Sequence, residues 1–141
     1  MPRAGRATHW LGPIVAVAFL SLAPRSSSHA QQRPDLSAIA AGMKAKMKLP
    51  VAVDAETRLD DVRALRNDEL AYFMTLVNQT KAKVNAAQFS QVMERSLRAG
   101  ACENPNYVKF FRAGVTLVMV YTTRDGAEVA RVRLPPSLCK T

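Results

Sequence analysis

Residues 67–77 read NDELAYFMTLV, and this stretch decides the fold. Successive side chains of a strand point to opposite faces of its sheet. From Glu69 onward both sets of alternating positions are mostly apolar: Leu70, Tyr72, Met74 and Leu76 on one side, and Ala71, Phe73 and Val77 on the other. A strand that is apolar on both sides is typical of the centre of a sheet, covered on both faces. The sequence therefore predicts a central strand over 69–77.

The neighbouring residues predict the partners of this strand. Asn and Asp are favoured in turns, so Asn67-Asp68 predicts a turn between two strands. The segment Thr57 to Leu65 is therefore expected to pair with 69–77 as a hairpin. A short strand is expected at 51–53. Further on, residues 115–123 and 128–134 have strand composition and flank Arg124-Asp125-Gly126, a strong hairpin turn. The last strand alternates apolar residues with arginines, which indicates a half-exposed edge strand.

Three helices are predicted by capping residues and apolar spacing. Asp35 caps a helix over residues 36–48, which ends before Pro50. Asn85 begins a second helix that runs to about Gly100, and Asn104-Pro105 begins a short third one. The expected buried stripe of the second helix consists of Phe89, Val92, Met93 and Leu97.

Together these elements predict an α+β protein, with an antiparallel sheet of four or five strands, two or three helices packed on it, and one disulfide. Residues 35–141 are expected to form a single domain, preceded by a flexible lead-in over 31–34. No internal repeat is visible.

The first 30 residues have the pattern of a cleaved secretory signal. Arg3 and Arg6 precede a ten-residue apolar run over 14–23, shorter than the roughly 20 residues that a membrane span needs. Ser28 and Ala30 are small residues at the two positions that a signal peptidase recognises, so cleavage is predicted after Ala30. The mature chain is then exported, to the periplasm or beyond the cell, and is predicted to have no transmembrane span.

Removal of this segment excludes several kinds of active site. Both histidines, His9 and His29, leave with it, so Ser-His and Cys-His nucleophile pairs are impossible within the mature chain. Histidine-containing zinc sites are excluded too, and two cysteines cannot form a four-cysteine site. No metal, cofactor or catalytic residue is predicted. A carboxylate-based hydrolase remains as an alternative, using the acids Asp54, Glu56, Asp60 and Asp61.

Cys102 and Cys139 are the only cysteines, and they could form a disulfide, a redox couple, half of a metal site or two unrelated thiols. A redox-active pair normally lies two residues apart, and this pair does not. Export favours a compartment in which disulfides persist. A structural disulfide is therefore the favoured interpretation, and closing its loop of about 37 residues is worth roughly 4 kcal/mol in the simple entropy model.

The basic charge suggests few specific partners. The signal segment removes three of the 20 basic residues and none of the 11 acidic ones, so the net charge falls from +9 to about +6. Nucleic acid is not expected, because the aromatic residues are not interleaved with basic ones. Such a charge commonly serves solubility. The sharper hypothesis is a surface that attracts anionic envelope lipid or an acidic protein, with these candidate residues: Lys44, Lys46, Lys48, Arg131 and Arg133.

Two long segments carry a resemblance to known proteins. LPVAVDAETRLDDVRALRNDELAYFMTLV (49–77) and ACENPNYVKFFRAGVTLVMVYTTRDGAEVARVRL (101–134), followed by Cys139, resemble small exported bacterial proteins of unassigned function with two cysteines. The layout is also distantly similar to the pilotins of type II secretion, disulfide-bonded exported lipoproteins that escort an outer-membrane secretin. Unlike a pilotin, this chain has no cysteine after its apolar run to carry a lipid.

The functional prediction combines these points. The chain is expected to be a small exported binding or accessory protein that is not an enzyme and acts through contacts with another envelope protein. A pilotin-like escort of a secretion component is the first alternative, and the carboxylate hydrolase is the second.

Overall fold

The computed structural model describes residues 33–139. The predicted signal segment, its cleavage site and the first half of the lead-in lie outside this range. The helices are α1 (Leu36–Met47), α2 (Ala86–Ala101) and α3 (Pro105–Arg112). The strands are β1 (Val51–Ala52), β2 (Thr57–Arg66), β3 (Glu69–Leu76), β4 (Thr116–Thr123) and β5 (Glu128–Leu134). Short 3-10 turns occupy Lys81–Lys83 and Pro136–Cys139.

The local signals in the sequence account for most of these boundaries. The carboxylate of Asp35 accepts a hydrogen bond from the Ala38 amide, and Asn85 caps α2 through the Gln88 amide in the same way. Pro105 follows the cap Asn104 at the start of α3. Such side chains satisfy amide groups that the first turn of a helix leaves without partners.

The five strands form one sheet in the order β1-β2-β3-β4-β5, so β3 is central and β5 is an edge strand, as predicted. The α+β class, the five strands, the three helices and the disulfide are confirmed. One detail differs from the expected antiparallel sheet, because β3 and β4 pair in parallel while the other three pairs are antiparallel. The reason is that α2 and α3 carry the chain back to the end at which β3 began. Parallel neighbours need such a crossover of a dozen or more residues.

The three helices pack on the same face of the sheet. α1 lies mainly on β2, α2 mainly on β5, and α3 lies over β4 near the final 3-10 turn. Apolar side chains from this face and from the helices form the main core; its most buried strand residues are Val62, Leu70, Leu117, Met119, Val132 and Leu134. No helix of residues 33–139 has the length and apolar character to cross a membrane.

The opposite face of the sheet has a small apolar centre. Ala71, Val118 and Val120 are buried there, with Phe73 packed against them. Within the described residues no helix covers this face, so the prediction that β3 is covered by a layer on both sides is not met there. Arginines on β2 and β5 stand on either side of the apolar centre, because Arg63 pairs with Ala71 and Arg133 with Val118.

The disulfide joins the end of α2 to the 3-10 turn that follows β5. Cys102 is the C-cap residue of α2 and Cys139 ends the last 3-10 turn, 37 positions later, with the two Cα atoms 5.4 Å apart. The bond therefore ties the segment after β5 to the helix layer, and it confirms the disulfide favoured from the sequence.

Candidate functional site

A gap between α1 and α2 leaves part of the helix-bearing face open. Neighbouring strands lie about 4.8 Å apart, so β2 and β5 are separated by about 14 Å. Packed helices lie about 8–10 Å apart. Helices centred on β2 and β5 are therefore too far apart to close over the strands between them. The floor of the gap is formed by β3 and β4, with the side chains of Tyr72, Met74 and Tyr121.

The first opening, which we call the α1–α3 cavity, lies between α1, α3 and β3 and has a volume of about 540 Å³. Most of its lining is apolar or aromatic. The residues that line it are Pro34, Ile39, Met43, Tyr72, Asn104, Asn106, Tyr107, Lys109, Phe110 and Ala113. Its volume falls in the range of about 300–1,000 Å³ that is typical of small-molecule sites.

Two tyrosines bring hydroxyl groups to this cavity. The ring centroids of Tyr72 and Tyr107 are 6.4 Å apart, and burial raises the pKa of both phenols above its usual value. The two hydroxyls therefore stay protonated at any physiological pH. Asn104 also lines the cavity, but its side-chain oxygen is engaged by the Asn106 and Tyr107 amides at the start of α3. Its amide nitrogen remains available as a donor.

A second opening lies beside α2, and we call it the α2 groove. It consists of two adjoining cavities of about 380 and 300 Å³ that share Glu56, Leu76 and Phe89. The Phe89 ring packs edge to face on Tyr121, with centroids 5.4 Å apart. Burial raises the pKa of Tyr121 to about 12. The groove thus has an aromatic floor that is fixed by contacts between α2 and β4.

The mouth of the α2 groove exposes two valines. Val53, after β1, is 59% exposed, and Val92, on α2, is 54% exposed. The sequence predicted that Val92 would be buried in the stripe of α2, and this prediction is wrong. Phe89, Met93 and Leu97 pack against the core, whereas Val92 points toward the groove mouth. Helical spacing identified an apolar stripe correctly, but spacing does not reveal how far a neighbouring layer extends over it.

The candidate basic residues do not form one surface. Lys44, on α1, lies 3.3 Å from a carboxylate oxygen of Asp61 at the β2 edge, and Lys46 and Lys48 are exposed on or beside the same helix. Arg131 and Arg133 project from β5 on the opposite face of the sheet. The structure therefore separates the lysines from the arginines.

The two arginines are also paired with carboxylates. Arg131 donates two hydrogen bonds of 2.9 Å to Glu128, and Arg133 donates to Glu69. On the other side of the same face, Arg63 pairs with Asp61 and stacks over the Phe73 ring, 4.5 Å from its centroid. Sequence reasoning missed the Arg133 pair because Glu69 lies on a different strand, and it missed the Arg131 pair because Glu128 lies beyond a bulge in β5. Much of the positive charge of this face is neutralised locally.

The acidic candidates serve as supports for the backbone and for ion pairs. The Asp54 carboxylate accepts hydrogen bonds from the Glu56 and Thr57 amides at 2.8 and 2.7 Å, which lower its pKa. The Arg63 guanidinium is the main cause of the lowered pKa of Asp61. Asp60 accepts hydrogen bonds from Arg58 and Thr75. General acid catalysis needs a carboxyl whose pKa is raised, and the shifts at Asp54 and Asp61 go the other way.

Comparison with known proteins gives matches by structure but not by sequence. No family model and no curated protein matches the chain. Three solved structures share the fold. A presumed secreted protein of Pseudomonas aeruginosa has a TM-score of 0.58 and 15% identity, covering 74% of this chain and 93% of its own.

The other two are pilotins of type II secretion systems. EpsS of Vibrio vulnificus has a TM-score of 0.54 and 10% identity, covering 75% of this chain and 93% of its own. AspS of Vibrio cholerae has a TM-score of 0.53 and 15% identity, covering 76% and 94%. At these identities the comparison establishes a shared fold, and it confirms the likeness to pilotins that the layout of the sequence indicated.

Proposed function

We propose that this chain is a small exported accessory protein that acts without catalysis, by holding a segment of another envelope protein in the α2 groove. The export signal predicted over residues 1–30 and the fold shared with a presumed secreted protein and two pilotins support the cellular location. The proposed location is the periplasm, with release from the cell as the alternative.

The exposure of Val53 and Val92 is the observation that carries the proposal. Scattered exposed apolar residues are normal on a protein surface. These two, however, stand at the mouth of one groove whose interior is lined by Leu76, Phe89 and Met93. A continuous apolar strip that runs from a buried floor to an exposed rim is typical of an interaction site. A partner segment would cover both valines and fill the groove.

The residues of this chain are better suited to binding a partner than to catalysing a reaction. The mature chain has no histidine, and Asp54 and Asp61 have lowered pKa values because amide groups and arginines hold them ionised. These carboxylates are suited to fixing the β1–β2 loop and the β2 bulge. The hydrolase alternative therefore has less support than a binding role.

Escort of a secretion component is the second candidate, and the pilotin fold is the observation that favours it. In this version the segment held in the groove belongs to an outer-membrane secretin. The identity of the bound partner separates this version from a general accessory role.

The test is site-specific photocrosslinking in cells. A photoreactive amino acid placed at Val92 of the full chain is expected to crosslink to an envelope protein, because this side chain stands at the groove mouth. The matched control places the same group at Arg131, an exposed position on the opposite face. A crosslinked secretin would select the escort version. Equal crosslinking from both positions, or none from Val92, would contradict the proposal.

A further inference from the structure

We propose that the α1–α3 cavity is a binding site for a single-chain amphiphile, a molecule with one apolar tail and an anionic head. This site is separate from the α2 groove, and the inference does not depend on the proposed protein partner.

The lining suits an apolar tail. Ile39 and Met43 of α1, Phe110 of α3 and Tyr72 of β3 supply apolar and aromatic groups to the lining. Methionine side chains adapt to flexible apolar ligands because they are unbranched and polarisable. A volume of about 540 Å³ has room for one apolar tail.

The polar atoms of the cavity suit an anionic head. Among the described residues that line it, Lys109 is the charged one and neither aspartate nor glutamate is present. The side-chain amides of Asn104 and Asn106 and the two tyrosine hydroxyls add further donors. A head group that carries hydrogen-bond acceptors and negative charge complements this set.

Tyr72 supplies an independent indication that a ligand group belongs here. The residue is only 9% exposed, and its hydroxyl has no hydrogen-bond partner among residues 33–139. No fully buried side-chain oxygen of that range lacks a partner, so this hydroxyl must reach open space, and the space it lines is the cavity. A hydroxyl that opens into this space can donate to a ligand atom. A ligand acceptor at this position would provide the missing hydrogen bond.

Two sources have this chemistry in a cell envelope: free fatty acids and lysophospholipids with an anionic head. Both offer one acyl chain and acceptor oxygens. The experiment therefore uses one member of each class with the same tail.

Calorimetric titration of the exported protein with dodecanoate, below the concentration at which micelles form, tests the proposal. Binding of one molecule per protein is expected. Decanoate and octanoate should bind more weakly, by about tenfold for each two carbons removed, because each buried methylene contributes similarly. Dodecyltrimethylammonium should not bind detectably, because its cationic head meets Lys109. Lauroyl lysophosphatidylglycerol distinguishes the sources, since tighter binding than dodecanoate would identify the lysophospholipid.

Two variants test the named contacts. Lys109→Glu is expected to weaken dodecanoate binding at least tenfold, whereas Arg112→Glu, the same change of charge on the same helix but away from the cavity lining, should weaken it less than threefold. Tyr72→Phe keeps the ring and is expected to weaken binding about fivefold, the usual value of one net hydrogen bond.

The inference is overturned if dodecanoate does not bind, if affinity does not depend on tail length, or if Lys109→Glu and Arg112→Glu have equal effects. If Tyr72→Phe does not fold, the comparison of Lys109→Glu with Arg112→Glu still tests the inference. Val53→Glu, at the other side of the groove mouth, should abolish the photocrosslink formed from position 92 and leave dodecanoate binding unchanged. The two proposals are therefore tested separately.

Discussion

The carboxylate of Glu69 is almost completely removed from water, since its side chain is 5% exposed. The Arg133 guanidinium donates to it from β5, across the width of two strands, and Arg66 lies 3.9 Å away on β2. Arg133 is the main cause of the lowered pKa of this carboxyl, and Arg66 and Arg131 add to it. Glu69 of β3 thus forms ion pairs with arginines of β2 and β5.

This linkage predicts a dependence of stability on pH. Because the pKa of Glu69 is lower in the folded chain than its ordinary value of 4.5, its contribution is present above about pH 4.5 and is lost as pH falls through the folded value. Glu69→Gln is expected to lower the free energy of unfolding at pH 7 by about 1–3 kcal/mol, because Arg133 loses its charged partner. The variant should also lose less stability than the wild type between pH 5 and pH 3.

Urea unfolding at pH 7, 5 and 3 measures both effects. Glu94→Gln is the control, because Glu94 pairs with Arg98 on the exposed side of α2. Its cost at pH 7 is expected to stay below about 1 kcal/mol, as for surface ion pairs. A Glu69→Gln protein with the same acid sensitivity as the wild type would show that another group governs the effect.

At the scale of an element, α2 shows how tertiary packing divides an amphipathic stripe. Phe89 is partly buried and packs on Tyr121 of β4, whereas Val92, one turn later, is exposed at the groove mouth. The element was predictable from its cap and its spacing. Which residues of the apolar stripe are buried and which are exposed depends on where the sheet and the β1–β2 loop end.

Substitutions along this stripe should therefore differ in cost. Phe89→Ala is expected to lower the free energy of unfolding by about 2–3 kcal/mol, somewhat less than the 3–5 kcal/mol of a fully buried phenylalanine. Val92→Ala should change it by less than about 0.5 kcal/mol, the usual range for a surface site. Chemical denaturation measures both. A loss above 1 kcal/mol at Val92 would mean that the side chain is buried in solution, which would remove the basis of the proposed partner site.

At the scale of the whole molecule, the disulfide joins the helix layer to the residues that follow β5. Its loop spans 37 positions and includes α3 and the β4–β5 hairpin. A crosslink of this kind stabilises mainly by restricting the unfolded chain. The turn Pro136–Cys139 also packs near α3, so the bond adds a covalent link to contacts that the turn already makes with the helix layer.

The double variant Cys102→Ser, Cys139→Ser is accordingly expected to lose about 4 kcal/mol of unfolding free energy. The wild type measured in excess reductant should lose a similar amount, which controls for the effect of the serines. Mass spectrometry of the exported protein under non-reducing conditions should find no free thiol. Two free thiols, or a double variant as stable as the wild type, would contradict a structural role.

Much of the architecture was predictable because it depends on local chemistry. The caps Asp35, Asn85 and Asn104 satisfy amides of the helix that each begins, and Asp125-Gly126 turns the chain within a few residues. The disulfide followed from export and from the lack of any other cysteine. These inferences need no knowledge of distant neighbours.

The direction of the β3–β4 pair and the binding sites were not predictable in this way. The sequence predicted Tyr72 only as one of the apolar residues of the central strand, and it gave no sign that Tyr107 would lie beside it. Their meeting at 6.4 Å beside α1 depends on three elements that are far apart in the chain. The pairing of Arg133 with Glu69 likewise depends on the order and register of the strands, which bring β5 and β3 near each other.

Residue type and short-range spacing were enough to predict the helices and strands, their boundaries to within about a residue, the central place of β3 and the disulfide. The parallel direction of β3 and β4, the exposure of Val92 and the apolar cavity that Tyr72 and Tyr107 line between α1 and α3 followed from the tertiary structure alone. These features arise from contacts between segments that are distant in the chain. The periodicity of a sequence gives no information on the distances between segments that are far apart in the chain.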